Sequence, residues 1–317
     1  MTPVAVFFKT LSRTSAIFIG TAAMFLHPPL DWGGGRSVAA LKGPRQATID
    51  TLVGAMRDPD ASVRREVARA LEAYAVIDAQ RASVAELTAQ LASTDVVSRT
   101  RAACQLKEIG NEAEPAMNAL LAMLADGTPI PQSVCGERWR RGESPMPTSP
   151  GEQAASALAE IGSPALAPLM RTLKHTSWTA RRNAAWALGA IDDHRAVTAL
   201  IGALQDKEAT VREQVAWALG AIGDSAAVTA LIEALKDEAA KVREQAAWAL
   251  GAIGDNAAVD GLVRALRDSD AKVREQAAWA LGAIGEPRAM DALLPLLKDA
   301  DARVRRQAAW AIGVVTK

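Results

Sequence analysis

The stretch VREQVAWALGAIGD, from Val211 to Asp224, returns almost unchanged as VREQAAWALGAIGD from Val242 to Asp255. Its tryptophan belongs to a wider regularity, because five tryptophans follow one another at intervals of 31 residues: Trp186, Trp217, Trp248, Trp279 and Trp310. A constant period of this length is typical of a solenoid, in which each unit buries its apolar face by stacking on its neighbours. The sequence therefore predicts a repeat protein with one long surface.

One unit runs from Asp224 to Gly254 and contains two helical patterns. Ser225 to Leu235 places apolar residues at the i, i+3, i+4, i+7 spacing of an amphipathic helix, and Val242 to Ile253 forms the second pattern. Gly254 follows as a C-terminal cap, because glycine adopts the left-handed conformation at low cost. We therefore predict an all-α fold of two-helix units joined by short turns.

Weaker copies of the second helix extend the same frame towards the N-terminus. They are predicted at Val63 to Tyr74, Ser98 to Ile109 and Gly151 to Ile161. Five regular second helices follow, which end near Ile191, Ile222, Ile253, Ile284 and Val315. The prediction is thus eight units, sixteen helices and no strands between residues 45 and 317. We number these units 1 to 8 in chain order, so that units 4 to 8 are the regular ones.

The motif VRxxAxxALGxIGD, followed by AVxxLIxAL, resembles the HEAT-like repeat of the phycobiliprotein-lyase type. The resemblance covers roughly residues 45–317 and is matched many times in register. It implies a right-handed α-solenoid whose second helices line the concave surface. It implies no single activity, because this repeat serves scaffolds, lyase subunits and enzymes alike.

The tryptophans are predicted to lie off the core. On a helical wheel, Val211, Val215 and Leu219 fall with other apolar residues in an arc of about 100°, and Trp217 points roughly 150° from its middle. With the resemblance, this position predicts a partner-binding row on the concave face. The alternative is that the indoles only pack adjacent units together, and partial exposure of each ring is the expected compromise.

Polar residues recur beside the tryptophans in each regular unit. Indoles with glutamine and glutamate suit an extended peptide or a sugar chain, through stacking and hydrogen bonds, and the alternative is an ordinary solvated helix surface. The predicted partner is another protein or an extended peptide. The predicted partner-binding residues are Arg182, Trp186, Glu213, Gln214, Trp217, Glu244, Gln245, Trp248, Glu275, Gln276, Trp279, Arg306 and Trp310.

Two further repeated positions are predicted to be structural. An arginine follows an aspartate by six residues in units 5 to 8, and in HEAT-type repeats such aspartates and arginines make hydrogen bonds and ion pairs between adjacent units. The residues are Asp206 and Arg212, Asp237 and Arg243, Asp268 and Arg274, and Asp299 and Arg305. A glycine also recurs inside each regular second helix, where it costs about 1 kcal/mol relative to alanine. Close approach of a neighbouring helix explains these glycines: Gly189, Gly220, Gly251, Gly282 and Gly313.

A proline-rich insertion, residues 126–150, interrupts unit 3. It carries the cationic and aromatic cluster Arg138, Trp139, Arg140 and Arg141, which either contributes to partner recognition or lies on a mobile surface loop. It also carries Cys135. In an exported protein a Cys104–Cys135 disulfide is possible and would tether the insertion, and the alternative is two unpaired thiols.

The N-terminus differs from the repeats. Lys9 and Arg13 precede an apolar run from Ser15 to Leu26, so that residues 1–27 are predicted to be a signal peptide or apolar leader and residues 28–44 a linker. The run is too short for a membrane span, which needs about 20 residues. We expect export to the periplasm, cell envelope or medium, with a cytoplasmic protein behind a disordered or amphipathic leader as the alternative.

Composition and motifs argue against several activities. Lys plus Arg equals Asp plus Glu at 36 each, without the basic excess of a nucleic-acid binder, and Glu213, Glu244 and Glu275 would repel phosphates. None of the three histidines is followed by glutamate, which the iron-binding motif of HEAT-type deoxyhypusine hydroxylases requires. We predict no catalytic residues, metal or cofactor.

The sequence thus predicts a non-catalytic protein–protein interaction scaffold. The runner-up is a bilin lyase/isomerase-type subunit for chromophore attachment, because the repeat type matches.

Overall fold

A computed structural model describes residues 51–130, 134–135 and 149–315, and these residues form helices and turns without a strand. The leader, the linker and residues 45–50 lie outside the described residues. The chain divides into two compact bodies, with the boundary between Ser83 and Val84. The all-α solenoid predicted from the period is confirmed, and no helix among the described residues is both long and apolar enough to cross a bilayer.

The helices keep the predicted order. The second helices of units 2 to 8 are α2 (Val96–Ile109), α4 (Pro150–Ile161), α6 (Trp178–Ile191), α8 (Ala209–Ile222), α10 (Ala240–Ile253), α12 (Ala271–Ile284) and α14 (Ala302–Val315). The first helices of units 3 to 8 are α3 (Met117–Met123), α5 (Ser163–Thr172), α7 (Val197–Ala203), α9 (Val228–Ala234), α11 (Val259–Ala265) and α13 (Met290–Leu293). Most are extended by short 3₁₀ segments: Gly110–Ala116, His194–Ala196, Ser225–Ala227, Asn256–Ala258, Pro287–Ala289 and Leu294–Lys298.

The helix α1 (Ala61–Gln90), which follows a helical segment at residues 51–55, differs from the prediction of a second helix that ends at Tyr74. It continues for 30 residues and joins the second helix of unit 1 to the first helix of unit 2. In later units the second helix ends at a glycine with positive φ, such as Gly223 (70°) and Gly254 (75°). No glycine or proline occurs between Tyr74 and Gln90, so nothing in the sequence stops the helix there.

The core is one continuous cluster that runs through the stacked units. Each inner unit contributes a fully buried leucine from each helix, such as Leu219 from α8 and Leu231 from α9. From unit 2 onward, each second helix packs on the second helix of the next unit. Alanines at these contacts, such as Ala216 and Ala218, are fully buried and allow the helices to come close.

The glycines inside the second helices mark the closest contacts between units. A Cβ built on Gly220 would lie 2.7 Å from Ala249 Cα and 2.7 Å from Trp248 Cζ3 of the next unit. Gly189, Gly251 and Gly282 meet the next tryptophan and alanine in the same way, which confirms the predicted close approach. Gly313 is the exception, because a Cβ there would meet nothing within 4 Å.

Three of the four predicted arginines, Arg212, Arg243 and Arg274, form a ladder with aspartates of the next unit, whereas Arg305 bonds backbone oxygens of its own turn. Arg212 donates through Nη1 to the backbone oxygen of Asp206 in its own turn, at 2.8 Å. Its Nε and Nη2 bond both carboxylate oxygens of Asp237 in the next unit, at 2.6 and 2.8 Å. The same arrangement joins Arg243 to Asp268, Arg274 to Asp299 and, beyond the predicted set, Arg181 to Asp206.

Each ladder carboxylate is held in its ionised form. Burial alone would raise the pKa of Asp237, but hydrogen bonds from Arg212 and from the backbone N–H of Ala239 outweigh burial and lower that pKa from its ordinary value. At Asp206 and Asp268, too, burial would raise the pKa, but hydrogen bonds from an arginine and from a backbone N–H outweigh burial and lower it.

Acidification is therefore expected to destabilise the ladder. A carboxyl whose folded pKa is lowered stabilises the fold above its unfolded pKa of about 4, and this stability is lost as the pH falls through the lower folded pKa. We expect the melting temperature to change little between about pH 7 and pH 5 and to fall progressively below about pH 4. Circular dichroism melts across this range test the prediction, and a melting temperature that stays constant to about pH 2.5 would contradict it.

The ladder changes at the junction of units 3 and 4. Gly151 stands where other units have the arginine, and His175 stands where they have the aspartate. Arg182 instead pairs with Glu152 across this junction, and Asn183 Nδ2 donates to the backbone oxygen of Leu124 at 3.0 Å. The junction is thus held by a different set of polar contacts from the regular ones.

The insertion begins at the turn between the two helices of unit 3. Ile130 is buried, and Cys135 forms a disulfide with Cys104 of α2 across a Cα–Cα distance of 5.8 Å. The structure therefore contains the disulfide that tethers the insertion. It does not contain the two unpaired thiols of the alternative prediction. The cluster Arg138, Trp139, Arg140 and Arg141 lies outside the described residues.

Candidate functional site

The second helices of the regular units expose one common stripe. In α8 the stripe contains Thr210, Glu213, Gln214, Trp217 and Ala221, all at least partly exposed, whereas Val211, Val215 and Leu219 are buried. We call the surface formed by these stripes in units 4 to 8 the tryptophan face. It consists of Trp186, Trp217, Trp248, Trp279 and Trp310 with the polar residues and alanines on the same side of their helices.

Each indole lies between packing and solvent. Trp186, Trp217, Trp248 and Trp279 are partly exposed, and Trp310 in the last unit is 40% exposed. The Cζ3 edge of Trp217 contacts Gly189, and the later rings contact the glycine of the preceding unit in the same manner. Each ring therefore agrees in part with both predictions. One edge packs between two units, and the rest of the ring is exposed to solvent. Partner binding through that remainder stays a prediction.

The N-terminal end of the face is extended by Trp178, which the period did not predict. Trp178 is 43% exposed, and the Arg182 guanidinium lies 5.7 Å from its ring centroid, within the range of a cation–π interaction. The rings of Trp186 and Trp217 follow as a parallel stacked pair with centroids 6.2 Å apart. Alanine stands at the position of Trp178 in units 5 to 7, so this tryptophan falls outside the 31-residue pattern.

Arg182 has contacts of its own within the protein. Besides Trp178 it bonds Glu152 of the preceding unit and the side-chain oxygen of Asn183. Asn183 is buried, and it holds the junction of units 3 and 4. Arg182 and Asn183 of unit 4 thus stabilise the fold, whereas Arg306 of unit 8 is exposed.

The glutamates of the face are accompanied by cations. Lys241 Nζ lies 3.1 Å from Glu244 Oε2, and this hydrogen bond, together with the charges of Glu244 and of Glu213 in the preceding unit, raises the pKa of Lys241. Arg303 Nε lies 3.9 Å from Glu275 Oε2 of the preceding unit. These cations, which the sequence argument did not consider, compensate the negative charge. Repulsion of phosphates by the glutamates is therefore a weaker argument than the sequence suggested.

The glutamines present open hydrogen-bonding groups beside the indoles. Gln214, Gln245, Gln276 and Gln307 are all partly exposed. Within the described part of the chain, no hydrogen bond joins their side-chain amides to another residue. Each amide offers two donors and an acceptor oxygen. The face therefore repeats one indole and one available amide in each of units 5 to 8.

His175 and His194, the two histidines among the described residues, lie in turns between helices. His175 Nδ1 accepts a hydrogen bond from the backbone N–H of Ser177 at 3.0 Å, and His194 Nδ1 lies 2.9 Å from Asp224 Oδ2. Both side chains are exposed. Among the described residues, no three His, Cys, Asp or Glu side chains are grouped as metal ligands would be.

The chain matches one family model, described as HEAT repeats, at residues 151–219, 173–242, 199–274 and 228–313. These matches overlap and together span residues 151–313, just over half of the chain. They include all five tryptophans of the face. No curated protein sequence matches the chain.

The chain is also similar to solved structures, including one at a TM-score above 0.5. Kap95p, in a structure with RanGDP, is similar at a TM-score of 0.54 and 17% identity, over 86% of this chain and 42% of that one. The CpcE–CpcF complex of phycocyanin lyase from Nostoc sp. PCC7120 is similar at a TM-score of 0.41 and 24% identity, over 72% of this chain and 93% of that one. At these identities the likeness concerns the fold alone.

Proposed function

Because the chain belongs to the HEAT-repeat family, we propose that it is a non-catalytic interaction scaffold that binds an extended segment of another protein on its tryptophan face. The observation that carries the proposal is the row of partly exposed indoles, one in each of units 4 to 8. A row of this kind is long and narrow, so it fits a chain better than a compact ligand. In the resemblance to HEAT-like repeats, these second helices line the concave surface.

The exposed parts of the indoles supply the apolar contribution to binding. A tryptophan buries about 150–250 Å² when it is fully covered. If a third of each of five rings becomes covered, roughly 300 Å² of apolar surface leaves water, which corresponds to about 8 kcal/mol before the costs of association. Because association costs at least about 4 kcal/mol of this, the indoles alone give weak binding, and the polar contacts must contribute for the complex to reach micromolar affinity.

The glutamine amides supply the polar contribution. An extended segment carries unpaired backbone N–H and C=O groups, which lose hydrogen bonds to water when a surface covers them. The amides of Gln214, Gln245, Gln276 and Gln307 replace those bonds without selecting side chains. This pairing favours a polypeptide over a compact apolar ligand.

A change that blocks the face and leaves the packing intact tests this function. Ala221 and Ala252 are exposed and lie one helical turn after Trp217 and Trp248. Peptides are selected from a random 12-residue display library on the wild-type chain, and their affinity is measured by fluorescence anisotropy. In the double variant Ala221→Arg/Ala252→Arg we expect the Kd of these peptides to rise about tenfold or more, with helicity and melting temperature unchanged.

The matched control places the same substitutions on the first-helix side of the units. Ala226 and Ala257 are exposed alanines in the 3₁₀ turns before α9 and α11. The double variant Ala226→Arg/Ala257→Arg is expected to bind the peptides as the wild type does. Selected peptides that bind both double variants with unchanged affinity would refute the tryptophan face as the binding surface.

We further propose that the protein acts outside the cytoplasm. The Cys104–Cys135 disulfide supports this location, because disulfides persist mainly in oxidising compartments. Mass spectrometry of the chain recovered from cell-envelope and cytoplasmic fractions tests it, since export predicts a processed N-terminus and no free thiol.

Chromophore attachment is the second candidate, and the lyase-type repeat motif favours it. Co-expression with a bilin and an acceptor protein separates the two functions. A covalent coloured adduct of the acceptor, formed only when this chain is present, would favour the lyase over the scaffold.

A further inference from the structure

The charges of the tryptophan face change sign along its length. Four residues before the tryptophan, units 5, 6 and 7 have a glutamate, whereas unit 8 has Arg306. Seven residues before the tryptophan, unit 5 has Thr210, whereas units 6, 7 and 8 have Lys241, Lys272 and Arg303. At these two positions unit 5 thus has one anion, units 6 and 7 each have one anion and one cation, and unit 8 has two cations.

Both positions face solvent in units 5 to 7, which each lie between two other units. Thr210, Lys241 and Lys272 are exposed, and the glutamates four residues before the tryptophans are partly exposed. The change of sign therefore belongs to the surface that a bound segment would meet.

The negative end of the face lies at units 5 and 6. Lys241 Nζ bonds Glu244 at 3.1 Å, and the charge of Glu213 also acts on Lys241. One lysine thus serves two glutamates. Among the described residues, no salt bridge or hydrogen bond joins the Glu213 side chain to another residue, so the excess negative charge is located there.

The positive end of the face lies at units 7 and 8. Arg303 is compensated, because its Nη2 lies 3.0 Å from Asp301 Oδ2 and its Nε lies 3.9 Å from Glu275 Oε2. In the part of the chain that the structure describes, no carboxylate bonds the Lys272 ammonium. Arg306 adds a cation at the position where units 5 to 7 have a glutamate. The excess positive charge is therefore located at Lys272 and Arg306.

The spacing of the units sets the distance between the two ends. Packed helices lie about 8–10 Å apart, so Glu213 and Arg306, three units apart, are separated by roughly 24–30 Å along the face. An extended chain advances about 3.3 Å per residue and covers this distance in about eight residues. Opposite charges at that separation in a partner would complement both ends at once.

On the basis of the proposed function, we propose that the bound segment carries a basic residue over unit 5 and an acidic residue about eight positions away, over units 7 and 8. The charges at the two ends determine which way the segment lies on the face, and the indoles and amides between them bind the rest of it. A segment with one sign of charge at both ends is repelled at one of them, which excludes partners that are uniformly acidic or uniformly basic.

Fluorescence anisotropy with designed peptides tests the proposal. The probe is one of the selected 12-residue peptides, with charged residues only at two positions about eight residues apart. Its mixed version has one lysine and one glutamate there, made in both orders, and its like-charged versions have two lysines or two glutamates. At an ionic strength of about 20 mM, where screening is weak, we expect the better mixed version to bind about fivefold more tightly than either like-charged version.

Charge variants of the face are expected to change this preference in opposite directions. Glu213→Lys makes both ends basic, so that the version with two glutamates should bind about fivefold more tightly than the version with two lysines. Lys272→Glu/Arg306→Glu makes both ends acidic, so that the version with two lysines should be preferred to a similar extent. All three side chains are at least partly exposed, and helicity is expected to be unchanged.

The matched controls make the same changes of charge on the first helices. Glu233 on α9 and Arg264 on α11 are exposed, and Glu233→Lys and Arg264→Glu are expected to keep the wild-type preference. If all versions bind the wild type equally, or if Glu213→Lys keeps the wild-type preference, while Ala221→Arg/Ala252→Arg still weakens binding, this inference is overturned and the proposed function stands. If Ala221→Arg/Ala252→Arg binds the peptides as the wild type does, both are overturned.

Discussion

Gly220→Ala and Gly251→Ala are each expected to lower the free energy of unfolding by about 2–3 kcal/mol. The added Cβ would lie 2.7 Å from an alanine Cα in the next unit, and a backbone atom cannot move without moving its helix. The strain exceeds the gain of about 1 kcal/mol that alanine normally brings to a helix interior. Chemical denaturation followed by circular dichroism measures the change.

Gly313→Ala is the control for this prediction, since the same substitution in the last second helix meets no atom within 4 Å. At low micromolar concentration we expect its stability to be unchanged or higher by up to about 1 kcal/mol. Equal effects at Gly220 and Gly313 would show that the conformational freedom of glycine, and not the contact between units, explains the repeated glycines.

Arg243→Gln is expected to destabilise the chain by about 3 kcal/mol. The substitution leaves the carboxylate of Asp268 largely buried without its cation, and only 11% of that side chain is exposed. It also removes the bonds from Nη1 to the backbone oxygens of Asp237 and Glu238, which close the turn of the same unit. Thermal unfolding at pH 7 measures the loss.

The double variant Arg243→Gln/Asp268→Asn distinguishes the unpaired charge from the lost bonds. We expect it to recover part of the stability, because an amide pair carries no net charge into the interior. Arg195→Gln serves as the control, because Arg195 and Asp193 form an exposed pair within one turn, and little change is expected. An Arg243→Gln variant as stable as the wild type would refute the structural role of the ladder.

The sequence predicted the regular part of the fold because its signals repeat. One helix pattern, one capping glycine and one Asp–Arg spacing recur in units 5 to 8, and each recurrence supports the others. The end of α1 was predicted wrongly for the opposite reason. The repeat motif is weak near Tyr74, and no glycine or other helix-ending residue follows it there. A helix end is determined by local residues, and a repeat frame cannot supply them.

The candidate site was predictable in position and less so in detail. The helical wheel placed Trp217, Glu213 and Gln214 on one side of α8, and the exposed stripe of the structure contains all three. Arg303, the cation beside Glu275, comes from the next unit, so a wheel of one helix does not reveal it, whereas Lys241 lies three residues before Glu244 in the same helix and could have been found from the sequence. Trp178 was missed because it occurs once, and a search for a period overlooks single residues.

The contact between each indole and a glycine limits how such a surface changes during evolution. Replacing one ring alters the distance between two helices, so selection for a different ligand would act first on the positions of Glu213, Gln214 and Ala221 and leave Trp217 with Gly189 in place. Relatives with the same architecture are then expected to differ in specificity at those three positions of each unit. The contact between the indole and the glycine, which sets the distance between two second helices, would be the same in all of them.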